Sequence, residues 1–452
     1  MEPMPPSSPA PTTMSDAPTS RLLPPRTLIA VVVCWLLVVF DGYDLIVYGT
    51  VQNELITTTG WGLNPATAGT IGSLAFVGMM IGAIFAGRMS DTWGRKRTVL
   101  GCALVFSLFT VLCAFAPNAP VFGILRLLAG IGLGGLVPTA NALAAELIPP
   151  RWRSMTATLM MSGVPIGGSV AALTGLALIP TLGWPSMFLI AVVALVILVP
   201  IGFAVLPETL PSADRRAAAA AGVPERNAPG FGHLLRAPYL KMSILFAVAT
   251  LFTLFAWYGL GTQLPKIMAS TGFDLGPALL FTLALNLGAV AGSLLTAWAG
   301  DRFGSVPTAI VAALLAGVAL ILLLTHPAST GIVYLLLVLA GIGTHGTQCL
   351  IIAAIASRYP DRLRGTALGW ALGVGRIGAV LAPQISGLLL ATRGLDPAVN
   401  FLVFGLAALV AAVLLLGVRR HPVRSTGGIS GTENTANVEE TGTARNPALE
   451  VK

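Results

Sequence analysis

Two aspartates interrupt the first long apolar run of the chain, Thr27 to Val51. A central carboxylate in a membrane helix costs roughly 2.5 to 3.5 kcal/mol on insertion scales, so the pair Asp41 and Asp44 predicts a use that outweighs this cost. Together with Tyr48 they are spaced i, i+3 and i+7, which places all three on one face of a helix. That face should look into protein or water and not into lipid.

The two aspartates suggest proton chemistry. A carrier driven by protons needs a carboxylate that gains and loses a proton near ambient pH, and both desolvation and a neighbouring carboxylate favour the protonated form. We therefore expect Asp41 and Asp44 to titrate as a coupled unit and to carry the driving proton. The alternative is that one of them only caps or orients a helix.

Two arginines, Arg126 and Arg376, lie inside other apolar runs. Arg376 is too deep in its run to reach the interface easily, and its planar guanidinium matches a carboxylate in bidentate geometry. We expect it to anchor a carboxylate of a substrate; the alternative is a permanent ion pair with a carboxylate of the other half of the chain. Arg126 should face a central cavity, unless its side chain extends to the membrane interface.

A polar stretch, Thr344 to Gln348, interrupts a later apolar run. Such groups are expected in the wall of a polar cavity. Gln348 could hydrogen-bond a ring hydroxyl or a carboxylate. His345 titrates near neutral pH and could serve a substrate or a proton, although a lone histidine can equally be a satisfied donor between helices.

Three aromatic residues could stack on an aromatic ring: Trp257, Tyr258 and Trp370. The two tryptophans are equally well explained as packing or interface residues.

The composition indicates a membrane protein with many spans. Of 452 residues, 55% are hydrophobic and 10% are charged, and the mean hydropathy is +0.84, whereas soluble domains contain about 25% charged residues. The long apolar runs exclude a porin-like barrel. The net charge of +8 comes from basic residues scattered through short loops, so we expect no nucleic-acid partner. The four cysteines show no CxxC spacing and predict neither a disulfide framework nor a metal site.

Hydropathy predicts twelve membrane helices with both termini on one side. Of the 26 basic residues, 22 then lie on the side of the termini, and only Lys266 and Arg393 lie on the other. This asymmetry predicts cytoplasmic termini. The predicted spans are 27–51, 67–88, 97–116, 120–147, 153–181, 183–206, 241–265, 276–299, 305–326, 331–358, 364–392 and 395–418.

The chain divides into two similar halves. Asp91 to Gly94 recurs as Asp301 to Gly304, and Pro149 to Arg153 recurs as Pro360 to Arg364, at offsets of 210 and 211. Duplicated halves are typical of secondary transporters, which bind substrate between them. The predicted organisation is a disordered cytoplasmic tail (1–26), an amino-terminal six-helix bundle (27–206), a central cytoplasmic loop (207–240), a carboxy-terminal six-helix bundle (241–418) and a disordered cytoplasmic tail (419–452).

The loop Gly87 to Lys96 and the stretch Arg126 to Gly135 resemble signature motifs of the major facilitator superfamily. Within it, Asp41 to Asp44, Gly375 to Gly378, and Tyr258 followed by a later Leu-Pro resemble the aromatic acid:proton symporter family of benzoate and 4-hydroxybenzoate type. The resemblance implies an all-α membrane protein with twelve helices in two pseudo-symmetric six-helix bundles. It also implies that Arg126 serves proton relay or substrate charge.

The resemblance further implies that the loop containing Asp91, Gly94 and Arg95 latches the halves in one access state. By spacing, Asp91 and Arg95 could pair with each other or with a neighbouring helix end. Glu146, with Arg153 nearby, is expected to be a structural partner of loop arginines in this gate. Asp301 holds the repeated position in the second half.

No phosphate-binding loop, kinase set or hydrolase motif is present, so we expect a carrier that uses a proton gradient and no cofactor, and not an enzyme. The leading hypothesis is a monomeric, proton-coupled importer of an aromatic carboxylate in the lipid bilayer of the cell inner membrane. One alternative is an exporter of drugs or other metabolites. The stretch Gly163 to Gly168 partly resembles the Gly/Pro-rich motif of such exporters. The other is a non-transporting sensor of the same fold.

Overall fold

The computed structural model describes residues 24–149, 152–208 and 231–419, without the side chains at positions 88, 91, 92, 154, 231, 361 and 362. These parts contain twelve helices that are long and apolar enough to cross a membrane, and the prediction of twelve spans is confirmed. In chain order they are α1 (Pro25–Thr58), α2 (Pro65–Thr92), α3 (Arg95–Cys113), α4 (Ala119–Leu147), α5 (Arg153–Leu182), α6 (Pro185–Val205, with a π-helical stretch at Ala194–Leu198), α7 (Leu240–Ser270), α8 (Leu275–Phe303), α9 (Ser305–Leu323), α10 (Thr330–Arg358), α11 (Asp361–Ala391) and α12 (Val399–Arg419).

Local sequence sets several of the helix starts. Asn64 forms a capping box with Thr67 at the start of α2, and Asn118 accepts a hydrogen bond from a backbone N–H in the first turn of α4. Gly94 precedes α3 and Gly304 precedes α9, with φ of 100° and 91°. Glycine tolerates this backbone region, which explains why the repeated motif ends in glycine in both halves.

The charged segment between the second and third spans is shorter than the sequence suggests. α2 continues through Thr92 and α3 begins at Arg95, so only Trp93 and Gly94 separate them. Asp91 and Arg95 therefore belong to different helices. A pairing of these two side chains along one helix, which their spacing suggested, is not the geometry found, because the positive φ of Gly94 turns the chain between them.

The two halves pack in the same pattern. In the first half, α5 packs on α1, and both α2 and α3 pack on α4; in the second half, α11 packs on α7, and both α8 and α9 pack on α10. The halves meet through α2 with α11, α5 with α8, and α1 with α7. The predicted fold class is confirmed. The domain boundaries stay a prediction, because most of both predicted tails and of the central segment lies outside the described residues.

Small residues allow close approach of the helices at several of these contacts. A Cβ on Gly42 would overlap the backbone of Val164, and one on Gly167 would overlap the α1 backbone at Val39. These glycines let α1 and α5 touch at the level of the two aspartates.

The two halves are closed on the side opposite the termini and open on the side of the termini. Near the closed side, a Cβ on Gly69 of α2 would overlap the backbone of Pro383, and Gly387 of α11 meets the same region of α2. Gly365 and Gly369 lie on the same face of α11, about 18 residues, or five turns, before Pro383 and Gly387 respectively. A Cβ there would meet nothing within 4 Å. The two helices therefore diverge towards the termini.

Candidate functional site

Asp44 forms a buried ion pair inside the first half. Arg126 of α4 donates from Nη1 to Asp44 Oδ2 at 2.8 Å and from Nη2 to the Asp44 backbone carbonyl at 3.1 Å. Thr110 of α3 donates to the other carboxylate oxygen at 2.6 Å. Asp44 and Arg126 are each 1% exposed. This network joins α1, α3 and α4 and satisfies both oxygens of the Asp44 carboxylate.

Asp41 has different surroundings, one turn earlier on the same helix. It is also 1% exposed, but its Oδ1 has no hydrogen-bond partner among the described residues. The charges that act on it are Arg376, across the interface between the halves, and Asp44. Although the two carboxylates share the helical face that the sequence predicts, only Asp44 has a bonded counter-ion. Their joint titration stays a prediction.

Arg376 of α11 contacts residues of both halves of the protein. Its Nη1 donates to Tyr258 Oη at 3.4 Å and to Met79 Sδ at 3.7 Å, and its guanidinium lies 5.8 Å from the centre of the Tyr258 ring. The side chain is partly exposed. Within the described part of the chain, no carboxylate forms an ion pair with it. The guanidinium therefore has only neutral bonded partners in this conformation and is open to an anion.

An aromatic and thioether surface lies beside this guanidinium. Tyr258 of α7 and Phe76 of α2 pack with ring centres 4.9 Å apart, and Met79 follows one turn after Phe76. The sequence identified Tyr258 as an aromatic residue that could stack on a ring and through a family resemblance. It gave no signal for Phe76 or Met79, because an apolar residue in an apolar helix cannot be distinguished from ordinary core.

His345 and Gln348 lie one turn apart on α10, and both are buried. Neither ring nitrogen of His345 has a hydrogen-bond partner in the described residues, and Oε1 of Gln348 has none. The His345 ring packs on Trp257 with centres 4.9 Å apart. Its service to a substrate or a proton and its alternative role as a donor between helices both stay predictions.

The backbone of Met161 on α5 interacts electrostatically with the His345 ring, although no hydrogen bond of regular geometry joins them. The usual helical donor to the Met161 carbonyl would be the N–H of residue 165, which is proline and has none.

Trp370 lies elsewhere: its Nε1 donates to the Ser243 carbonyl at 3.2 Å, so of the two tryptophans only Trp257 joins the polar residues of α10.

The predicted gate residues lie at the side of the termini. Arg95 Nε pairs with Glu146 Oε1 at 3.1 Å, and Arg95 Nη1 donates to Ser90 Oγ at 2.7 Å. Glu146 thus bonds an arginine at a neighbouring helix start, inside the first half. Arg153 and Asp301 are exposed at the start of α5 and near the end of α8. The side chain of Asp91 lies outside the described residues, and the latch stays a prediction.

The family model of the Major Facilitator Superfamily matches residues 34–286 and 246–448. The chain belongs to this superfamily. A D-xylose-proton symporter of known crystal structure aligns with a TM-score of 0.71 at 19% identity, over 86% of this chain and 97% of that one, and shows the same superfamily fold.

Two curated relatives place the chain more narrowly within the superfamily. A gentisate transporter of Corynebacterium glutamicum is 56% identical over 395 residues, covering 86% of this chain and 87% of the relative. A benzoate transport protein of Acinetobacter baylyi is 35% identical over 422 residues, covering 86% and 89%. The predicted family, the aromatic acid transporters of the Major Facilitator Superfamily, is confirmed. The protein is a multi-pass membrane transporter and not an enzyme.

Proposed function

We propose that this protein imports an aromatic carboxylate of the benzoate and hydroxybenzoate class together with a proton, by alternating access between its two halves. The observation that carries the proposal is Arg376: a partly exposed guanidinium with no bonded counter-ion among the described residues, beside an aromatic surface and within electrostatic influence of the buried Asp41. The names of the relatives, a gentisate transporter and a benzoate transport protein, support the same substrate class.

Each part of such a substrate has a suitable partner. The carboxylate binds Arg376, whose planar fork favours bidentate contact. The ring lies against Tyr258 and the α2 side chains next to it. His345 and Gln348 offer unpartnered polar atoms to ring hydroxyls, and an unpaired buried polar group gains most from a ligand that satisfies it.

Coupling to a proton follows from a shared counter-charge. When Arg376 is free, its positive charge supports the ionised form of Asp41 across the interface. When a substrate carboxylate binds Arg376, that charge is neutralised, and a buried carboxylate without compensation favours its protonated form. Substrate and proton therefore bind together, and both leave together when the site opens to the other side.

The ion pair of Asp44 and Arg126 has a different part in this scheme. Both charges are compensated in place and are 1% exposed, so the pair fixes α1 against α4 and keeps Asp41 at its position. We assign the exchanged proton to Asp41 rather than to the pair of aspartates as a unit. Arg126 then acts on the site through α1.

We further propose that the chain works as a monomer in the cell inner membrane, with both termini in the cytoplasm and the proton gradient as its only energy source. The distribution of basic residues supports this orientation. The open side of the structure then faces the cytoplasm.

The test is uptake of labelled gentisate and benzoate into proteoliposomes with an imposed proton gradient. We expect accumulation that stops when an ionophore collapses the ΔpH and the membrane potential, and counterflow that survives it. Accumulation that persists at full extent without the gradient would contradict the proton coupling. Absence of any counterflow would favour a sensor, and movement of cationic or neutral compounds instead would favour an exporter.

A further inference from the structure

The contact between α1 and α7 on the closed side contains polar groups that the proposed function does not use. Lys266 of α7 donates from Nζ to Asn53 Oδ1 of α1 at 2.7 Å. One turn deeper, a Cβ on Gly49 would overlap the carbonyl of Thr262. This contact, which we call the outer seam, joins the two halves directly across the central path.

Lys266 is a cation without an anionic partner at this seam. It is only partly exposed, and in the part of the chain that the structure describes no carboxylate pairs with it. Its bonded partner is a neutral amide oxygen. An ammonium group held at a contact between two moving halves is therefore released for an anion whenever the contact opens.

Two buried glutamines are adjacent in the sequence to residues of this contact. Gln52 precedes Asn53 on α1, and Gln263 follows Thr262 on α7. Both are 0% exposed, and neither the nitrogen nor the oxygen of either amide has a hydrogen-bond partner among the described residues. Buried polar groups without partners are rare and costly, so these four polar atoms would gain from water or a ligand that reached them.

A proline interrupts the hydrogen bonding of α7 next to Lys266. Pro265 lies inside α7 directly before Lys266, and proline removes one helical hydrogen bond and weakens the helix where it stands. The last turn of α7, which carries the ammonium group, is therefore held by one helical hydrogen bond fewer than an uninterrupted helix would provide.

We propose that the open outer seam is a second recognition site for the substrate's carboxylate, in which Lys266 supplies the charge and Gln52 and Gln263 supply hydrogen bonds. This inference rests on the proposed function, because it takes the same anionic substrate. It goes beyond it by assigning a first binding step on the side opposite the termini, before the substrate reaches Arg376.

The experiment compares the two faces of the membrane. Vesicles of both orientations, sorted by protease access to a carboxy-terminal tag, are assayed for uptake of labelled gentisate. We expect Lys266→Met to raise the half-saturating concentration several-fold from the face opposite the termini and to leave it unchanged from the face of the termini. Arg393→Gln is the matched control, because Arg393 is an exposed cation in the loop after α11; it should change neither value.

A second variant separates recognition from folding. Gln52→Leu with Gln263→Leu removes the unsatisfied amides at similar volume and should favour the closed seam, so uptake from the face opposite the termini falls while the protein remains folded by size-exclusion chromatography. An equal effect of Lys266→Met from both faces, or none, would overturn the proposal. If the unmodified protein moves no aromatic carboxylate from either face, the proposed function itself fails.

Discussion

At the scale of single residues, the two aspartates of α1 differ in what surrounds them. Asp44 has an arginine and a threonine bonded to its carboxylate, whereas Asp41 keeps one oxygen without a partner and meets its positive charge only across the interface. The positive charge that compensates Asp41 belongs to the other half of the protein. The protonation of Asp41 can therefore change when substrate binds and when the halves move.

Replacing Asp41 by asparagine should abolish gradient-driven accumulation of the aromatic carboxylate while leaving counterflow measurable, because an amide cannot carry the proton but keeps the shape of the site. The measurement is uptake with and without an imposed ΔpH. Asp396→Asn makes the same chemical change at an exposed carboxylate that pairs with His326 and should transport normally. Full accumulation by Asp41→Asn would exclude this residue as the proton carrier.

Replacing Asp44 by asparagine should instead destabilise the protein, by about 3 to 5 kcal/mol, because it leaves the Arg126 guanidinium buried without a counter-charge. Thermal unfolding in detergent measures this. The double variant Asp44→Asn with Arg126→Gln should recover part of the loss, since both charges are then absent. Equal stability of the single variant and the unmodified protein would show that the pair contributes little.

At the scale of helices, α2 and α11 form a contact that closes one side and diverges towards the other. The same face of α11 carries Gly387 at the closed side and Gly369 at the open side. A Cβ is obstructed at the first position and free at the second. A side chain added at the first position should therefore hinder closure of the side opposite the termini, and one added at the second should hinder closure of the side of the termini.

Gly69→Val on α2 should hinder closure of the side opposite the termini, because its side chain would meet the backbone of Pro383. Gly369→Val should fold normally in the conformation seen here but hinder closure of the side of the termini. Both variants should slow transport. They should shift the accessibility of the central cavity towards opposite sides of the membrane, which thiol labelling of cavity residues measures. Shifts in the same direction would contradict the divergence of α2 and α11.

At the scale of the whole molecule, the structure is one of the two access states of a transporter of its superfamily. The halves touch on the side opposite the termini, and α2 and α11 separate on the side of the termini. Three of the four cysteines are buried, and Cys349 on α10, next to Gln348, is partly exposed.

Cys349 should therefore be labelled by a membrane-impermeant thiol reagent added on the side of the termini. An aromatic carboxylate should slow the labelling at the concentrations at which it saturates transport, because Cys349 adjoins the residues proposed to bind its ring. Cys349→Ser is the control and should remove the label. Labelling only from the opposite side would contradict the open side described here.

The number of helices, the division into halves and the family could all be predicted from the amino-acid sequence. Each rests on a property of the chain alone: apolar runs long enough to span a bilayer, motifs repeated at one offset, and acidic or basic residues too costly in lipid to be incidental. It also identified Asp41, Asp44, Arg126 and Arg376, since a charge in an apolar run is visible without coordinates.

Which of these charges meet depends on how the helices pack and could not be predicted from the sequence. Arg126 lies 82 positions from Asp44 along the chain but bonds it directly, whereas Arg376, from the other half, has no bonded anion in the part of the chain that the structure describes. The structure alone also shows that Phe76 and Met79 contact Tyr258 and Arg376. It alone shows that the buried amides of Gln52 and Gln263 have no hydrogen-bond partner among the described residues. The physical reason is that spacing along one helix fixes which side chains share a face, but only the packing of the helices fixes what that face meets.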